Sequence, residues 1–128
     1  MKFKYEDLEI WKIGLDLIKA IYKLLKKFPK DEKYDLVSQG KRAVTSIALN
    51  IAEGSGRHTD RDFSLFINRA ITSLQEVDGV LKIGIQLNYI NNDDYQSVKP
   101  LIRKEYYKLV AFDKTLVKGS TKRRRYTQ

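Results

Sequence analysis

The residues best suited to chemistry form two polar stripes at helical spacing. One comprises Gln39, Arg42, Ser46, Asn50 and Glu53, and the other comprises Arg69, Ser73 and Glu76. Residues three or four apart share one flank of a helix. If the two helices are antiparallel neighbours, we expect Arg69 to face Glu53 and Glu76 to face Arg42. The stripes are then a solvated face, a structural ion-pair network that fixes helix register, or a ligand or catalytic site with Glu53 or Glu76 as a base.

The composition excludes several kinds of reactive site. The chain has no Cys, so it has no disulfide, no thiolate metal site and no cysteine nucleophile. Its single histidine, His58, cannot supply the multi-histidine ligand set of most catalytic zinc sites. Ser55 and Asp60 lie near His58 in the sequence, but neighbours on one loop do not make a catalytic triad. We therefore predict no enzymatic activity, no cofactor and no bound metal.

A short glycine-containing segment is a weaker candidate for anion binding. Gly54-Ser55-Gly56-Arg57 resembles a phosphate-binding loop only loosely, because the Gly-Lys-Ser/Thr ending and a preceding strand are missing. A phosphate could still bind Arg57, Arg61 and the free amides at the start of the next helix. Glu53 lies in the last turn of its helix, where the dipole disfavours an acid. We expect Arg57, Arg69 or a loop amide to compensate it.

Positive charge is concentrated at the C-terminus. The 128 residues include 25 Lys and Arg and 16 Asp and Glu, a formal charge of +9. More than half of this excess lies in residues 118–128, which contain Lys118, Lys122, Arg123, Arg124 and Arg125 and no acid. We predict a flexible basic arm. It serves either as a solubilising terminus or as a contact for a polyanion, since Lys and Arg neutralise phosphates.

Apolar residues recur every three or four positions, which predicts four amphipathic helices. The predicted helices span about 7–28, 32–53, 60–89 and 93–117. No sustained two-residue alternation indicates a strand. Short loops between amphipathic helices favour an all-α fold, an up-down-up-down antiparallel four-helix bundle over residues 1–117 followed by the arm.

The predicted helix ends rest on capping and helix-breaking residues. Pro29 stops the first helix, and Gly54-Ser55-Gly56 ends the second in the left-handed conformation. Thr59 and Asp62 resemble a shortened capping box for the third helix, and Asn92 is the expected cap of the fourth. Pro100 allows two interpretations: a continuous, kinked fourth helix, which we favour, or a start at Ser97.

Helix one carries more apolar surface than a bundle core needs. One row is Leu8, Trp11, Leu15, Ile18, Tyr22 and Leu25, and a parallel row is Ile10, Ile13, Leu17, Ile21, Leu24 and Phe28. On helix four, Tyr107 lies beside Tyr106 of the main row. These rows form either a wide buried stripe or a contact with another copy. Because large exposed apolar patches are rare on monomers, we expect a homo-oligomer.

The sequence has no membrane-spanning stretch, and its start turns acidic at Glu6-Asp7 where a signal peptide needs an apolar run. We therefore predict a cytoplasmic protein.

Two sequence blocks carry a family resemblance. The first includes Phe28-Pro29, residues 32–36 and 39–43, and Ser46-Ile47-Ala48-Leu49-Asn50-Ile51-Ala52-Glu53-Gly54. The second comprises residues 63–67, Ala70, Ser73-Leu74 and Glu76. Over about residues 5–117 the chain resembles bacterial four-helix-bundle proteins encoded in intervening sequences of large-subunit ribosomal RNA genes. The accessory variability determinant of diversity-generating retroelements is a relative. Family members often have glycine where this chain has Thr72.

The resemblance implies a four-helix protomer assembled into a homopentameric ring or barrel, and it implies no enzymatic activity. Its retroelement relatives act with a reverse transcriptase and bind nucleic acid through a basic surface. Our leading hypothesis is therefore a homo-oligomeric accessory protein that binds RNA or DNA mainly through phosphates. The predicted contacts are Lys122, Arg123, Arg124, Arg125, Arg57, Arg61 and Lys41, followed by Lys2 and Lys4. The alternative is a scaffold that docks a protein such as a reverse transcriptase.

Overall fold

Residues 1–118 contain four long helices, as the apolar periodicity of the sequence predicts, and two short 3-10 turns. The computed structural model describes residues 1–118, and the predicted arm with Lys122, Arg123, Arg124 and Arg125 lies outside the described residues. The helices are α1 (Glu9–Leu25), α2 (Leu36–Ser55), α3 (Asp60–Gln86) and α4 (Asn92–Val117). The 3-10 turns are Lys4–Asp7 and Lys30–Glu32.

The helices form the predicted antiparallel four-helix bundle. Each helix packs against two neighbours, in the closed order α1, α2, α3, α4 and back to α1. The core contains aliphatic side chains from every helix, with Leu17, Ile47, Ile67 and Leu109 fully buried. Within residues 1–118 no helix is long and apolar enough to cross a membrane.

The first two helices are shifted from their predicted bounds by 3-10 turns. α1 ends at Leu25 instead of residue 28, and α2 begins at Leu36 instead of residue 32. The acid Glu32 belongs to the intervening turn, where its Oε1 accepts a hydrogen bond from the Leu36 amide at 3.3 Å. It therefore caps α2 from outside the helix.

The end of α2 corrects the expectation of left-handed glycines. Gly56, the C-cap, has φ −87° and ψ 0°, a right-handed conformation, and α2 continues through Gly54 to Ser55. Gly54 is required by packing instead. A Cβ there would lie 2.7 Å from Cβ of Phe66 and 2.8 Å from Cδ1 of Phe63, so this glycine lets α3 approach α2 closely.

α3 is terminated by an asparagine in the left-handed conformation. Asn88 has φ +64°, and the amides of Tyr89 and Ile90 donate to the Gly84 carbonyl at 2.8 and 3.4 Å. This left-handed asparagine ends α3 at Gln86, three residues before the predicted end.

The start of α4 is capped by Asn91, so the prediction of Asn92 was wrong. The Asn91 side chain accepts from the Asp94 amide at 2.8 Å, and Asp94 Oδ2 accepts from the Asn91 amide at 3.0 Å. Thr59 is confirmed as the cap of α3, since its Oγ1 accepts from the Asp62 amide at 3.1 Å, but the Asp62 side chain does not return the second hydrogen bond of the predicted capping box. α4 then runs without a break through Pro100, which rules out a start at Ser97.

Candidate functional site

The polar stripes of α2 and α3 meet in a seam between the two helices. Ser46 and Ser73 share a hydrogen bond of 2.9 Å, and Asn50 Nδ2 donates to both the carbonyl and the hydroxyl oxygen of Ser46 at 2.8 Å. At the solvent edge Gln39 Nε2 donates to Glu76 Oε2 at 2.9 Å. These bonds occupy the polar groups with one another, which suits a structural role.

The charged members of the stripes do not pair as predicted. Glu53 Oε2 pairs with Arg57 at 2.9 Å instead of with Arg69. The guanidinium groups of Arg57 and Arg69 both lie over the Phe66 ring, 4.6 and 4.7 Å from its centroid. An acid four residues from a flexible arginine finds that partner within its own chain segment. Arg57 is thus the compensating partner of Glu53.

The second expected pair, between Arg42 and Glu76, does not form. Its guanidinium donates to Ser38 Oγ at 3.0 Å, one turn earlier on α2, while Glu76 accepts from Gln39. The antiparallel register therefore places neutral donors opposite α3 and leaves Arg42 exposed.

The predicted phosphate contacts are not brought into one cluster. Arg61 is exposed in the first turn of α3, close in sequence to Arg57, but Asp60 and Asp62 occupy the same turn. Lys41 lies roughly four helical turns away along α2, with its Nζ 5.1 Å from the centroid of the Tyr22 ring. The corner between α2 and α3 is consequently close to neutral.

Within residues 1–118, the side chains of the two N-terminal lysines and of the loop histidine make a local ion pair or no polar contact. Lys2 pairs with Asp7 at 2.8 Å, and Lys4 is exposed in the first 3-10 turn. His58 is exposed in the loop before α3, and Ser55 donates its hydroxyl proton to the Ala52 carbonyl at 2.9 Å. Among residues 1–118 no group of three or more acids or histidines is placed to hold a metal ion.

From Gln96 onward the outer face of α4 is basic because the acids of this stretch point inward. From Gln96 to Lys118 the sequence contains two acids, Glu105 and Asp113, and both are fully buried. The cations of the same stretch are exposed or half-buried: Lys99, Arg103, Lys104, Lys108, Lys114 and Lys118. One of them, Lys108, pairs with Glu9 of α1 at 3.2 Å. This face, called here the α4 basic face, was not predicted.

The inward acids occupy core positions of α4. Neither carboxyl oxygen of Glu105 has a hydrogen-bond partner among the described residues. Gly14 of α1 lies against this group, and a Cβ there would make an ordinary van der Waals contact with Glu105 Oε2 at 3.5 Å. Burial, assisted by the nearby charge of Glu9, raises the pKa of Glu105 to about 8. Glu105 is therefore largely protonated at neutral pH.

Asp113 is held differently from Glu105. Its Oδ2 accepts a hydrogen bond of 2.9 Å from Asn68 Nδ2 on α3, and Asn68 also donates to the Ser64 carbonyl. The spacing of the sequence could have placed both acids in the core row of α4, because residues 102, 105, 109, 113 and 116 follow one another at intervals of three or four. Counting only apolar residues instead placed Tyr106 in the core row, and this aromatic is 37 % exposed.

A comparison with protein families decides the affiliation of the chain. The model of the 23S rRNA-intervening sequence protein family matches residues 6–111, most of the bundle. The chain belongs to this family. The resemblance predicted from the Ser46–Gly54 block is thereby confirmed, and that block forms the α2 side of the seam and the close approach at Gly54. The family assignment leaves the molecular activity undefined.

A solved structure supports the same fold. It is a crystal structure of a protein with unknown function from the S23 ribosomal protein family of Bacteroides thetaiotaomicron, with a TM-score of 0.74. The two sequences are 24 % identical, and the alignment covers 82 % of this chain and 98 % of the other. At this identity the likeness concerns the fold. No curated protein matches the chain.

Proposed function

We propose that this family member is a non-enzymatic, homo-oligomeric accessory protein that binds RNA or DNA through phosphates. The observation that carries the proposal is the α4 basic face. Residues 58–117 hold equal numbers of acids and bases, yet burial of Glu105 and Asp113 removes negative charge from the outside of α4. Lysines and arginines on such a face attract the phosphate backbone without reading its sequence.

The α4 basic face is continuous in sequence with the cationic residues that follow it. Lys118 ends the described part, and Lys122, Arg123, Arg124 and Arg125 come within the next seven positions. These four and the α4 cations therefore supply the main phosphate contacts in our proposal. Arg57, Arg61 and Lys41 have a secondary role, because acids surround the first two and the third lies apart on α2.

Self-association is supported by the second apolar row of α1. Ile10, Ile13, Leu17 and Ile21 of the inner row are buried, whereas Leu15 of the second row is 45 % exposed. Leu8, Trp11, Ile18 and Tyr22 of that row are only half-buried. A second copy that covers this row would bury the apolar surface and bring several basic faces together, so that weak contacts gain avidity. The family resemblance favours five copies.

The test measures binding of structured RNA and duplex DNA over a range of salt concentrations. We expect binding at low salt. The logarithm of the binding constant should fall linearly with the logarithm of the salt concentration. The variant Lys104→Gln/Lys118→Gln should bind more weakly and with a shallower salt slope. The control Lys23→Gln/Lys26→Gln removes the same charge from the end of α1 and should change both quantities less. Absence of binding at low salt to either nucleic acid refutes the proposal.

A scaffold for a protein partner is the second candidate, favoured by an apolar patch at the end of α3. Ile83 and Leu87, one turn apart, are each 47 % exposed. This candidate predicts a protein partner, such as a reverse transcriptase, that stays bound at high salt. It also predicts little effect from deleting residues 118–128, whereas phosphate binding predicts a clear loss of affinity.

A further inference from the structure

The groove between α3 and α4 has an aromatic wall and a cationic rim. Tyr106 and Tyr107 form the wall on α4, where their rings make an edge-to-face pair with centroids 5.4 Å apart. Tyr107 is 60 % exposed. The groove encloses about 320 Å³ and is closed on the other side by Leu74 and Gln75 of α3. This volume lies at the lower end of the range for small-molecule sites, about 300–1,000 Å³.

The cations of the groove are available to a ligand. Lys99 and Arg103 line it one turn apart, and neither makes an ion pair with any residue of the described chain. The Arg103 guanidinium lies 5.9 Å from the centroid of the Tyr107 ring. The rim thus presents two positive charges beside two phenol rings.

Among the described residues one acid lines the groove, and it already has a cationic partner. Asp78 accepts a hydrogen bond from the Tyr95 hydroxyl at 2.5 Å and pairs with Lys82 at 3.0 Å. Burial and this hydrogen bond raise the pKa of Tyr95, which keeps its hydroxyl protonated as the donor. Asp78 therefore does not oppose an anion at Lys99 and Arg103.

We propose that this groove binds an unpaired stretch of nucleic acid, with bases stacked on Tyr106 and Tyr107 and phosphates at Lys99 and Arg103. The inference rests on the proposed function and adds a preference for single strands. Aromatic side chains stack on bases that are not paired, and adjacent cations hold the backbone. A duplex offers its phosphates but keeps its base faces inside the stack.

A second copy of the chain fits the groove less well than a nucleic acid does. Every copy carries a formal charge of +9, so a second copy would bring further positive charge to two cations that have no acidic partner. The exposed apolar row proposed for self-association lies on α1, and α1 and α2 form the opposite side of the bundle from the groove. Nucleic acid supplies both the negative charge and the flat rings.

The experiment compares labelled oligouridylate with an RNA duplex of equal length, by fluorescence anisotropy on the full chain. Wild-type protein should bind oligouridylate more tightly than Tyr106→Ala/Tyr107→Ala does, by about 5- to 150-fold for each lost stacking contact. Duplex affinity should change little. Tyr106→Phe/Tyr107→Phe keeps both rings and should bind like wild type. Both positions are solvent-exposed, and circular dichroism checks that each variant is folded.

The salt dependence separates stacking from charge. Lys99→Gln/Arg103→Gln should make the negative slope of log affinity against log salt shallower by about 0.7 per lost phosphate contact. The variant Tyr106→Ala/Tyr107→Ala should keep the wild-type slope.

The possible failures are distinguishable. If wild type binds RNA but the alanine variant binds oligouridylate equally well, the groove inference is wrong and the proposed function stands. If wild type binds neither RNA, the groove inference is wrong, and if it also fails to bind duplex DNA at low salt, the proposed function is wrong as well. If the alanine variant has a lower mass by light scattering, the groove is a contact between copies and the inference is overturned.

Discussion

At the scale of single residues, Glu105 is the most unusual feature of the molecule. Its carboxyl group lies in the core beside Gly14, and neither oxygen has a hydrogen-bond partner within residues 1–118. Burying a charged group without a partner is strongly unfavourable, so the protein keeps this carboxyl protonated instead. The pKa of Glu105, raised to about 8 from 4.5, expresses that preference. Together with the burial of Asp113, the burial of Glu105 leaves the outside of α4 from Gln96 to Val117 without acids.

The buried carboxyl should make stability depend on pH. Well below pH 4.5 the group is protonated in both folded and unfolded chains and contributes no pH dependence. As the pH rises towards about 8, the unfolded chain ionises first, and the folded state loses stability. Each unit of pKa difference corresponds to about 1.36 kcal/mol. We expect Glu105→Gln, which cannot ionise, to flatten this fall in the free energy of unfolding.

Urea unfolding followed by circular dichroism across this pH range measures the effect, at one protein concentration because association also contributes to stability. Glu76→Gln, an exposed acid on α3, is the matched control and should retain the wild-type pH slope. Equal slopes for Glu105→Gln and wild type would show that Glu105 ionises normally.

At the scale of elements, the helices follow from apolar spacing, while their ends follow from particular hydrogen bonds. Thr59 marked the start of α3 correctly, whereas α1 ends at Leu25, three residues before the end predicted from Pro29. The end of α3 and the start of α4 did not follow from composition, because Asn88, Asn91 and Asn92 are chemically alike. Only the backbone decides that Asn88 is left-handed and that Asn91 faces the amide of Asp94.

The cap assignment gives a direct test. Asn91→Ala removes the side-chain acceptor of the Asp94 amide but keeps the backbone N–H that donates to Asp94 Oδ2, and should lower the free energy of unfolding by about 1 kcal/mol. Asn92→Ala alters the adjacent residue, which lies inside the helix, and should cost much less. The urea midpoints of the two variants provide the comparison. A larger loss for Asn92→Ala would restore the original expectation of Asn92 as the cap.

At the scale of the whole molecule, the partly exposed second row of α1 and the α4 basic face lie on different sides of the bundle. This separation lets copies associate through one side and present positive charge on another. The arrangement also explains why charge counted along the sequence was misleading for residues 58–117. Charge balance along a chain says nothing about which side chains point into the core.

Association through α1 predicts a change in mass. Leu15→Glu places a charge in the exposed apolar row, and its desolvation in a contact between copies should be unfavourable enough to reduce the assembled mass. Leu65→Glu changes a leucine of similar exposure, 40 % against 45 %, on α3 and should leave the mass unchanged. Light scattering reports both. A wild-type particle of 15.0 kDa, the mass of one chain, would show that no assembly forms.

The sequence alone determined the fold class, the number of helices, the excess of positive charge and the family resemblance. These properties depend on periodicity and composition, which are local or additive along the chain. Only the tertiary structure decided that Gln39 faces Glu76, that Glu53 keeps Arg57, and that Glu105 and Asp113 turn inward. Those outcomes depend on the rotation and register of packed helices, and a rotation by one residue exchanges an exposed tyrosine for a buried carboxyl group.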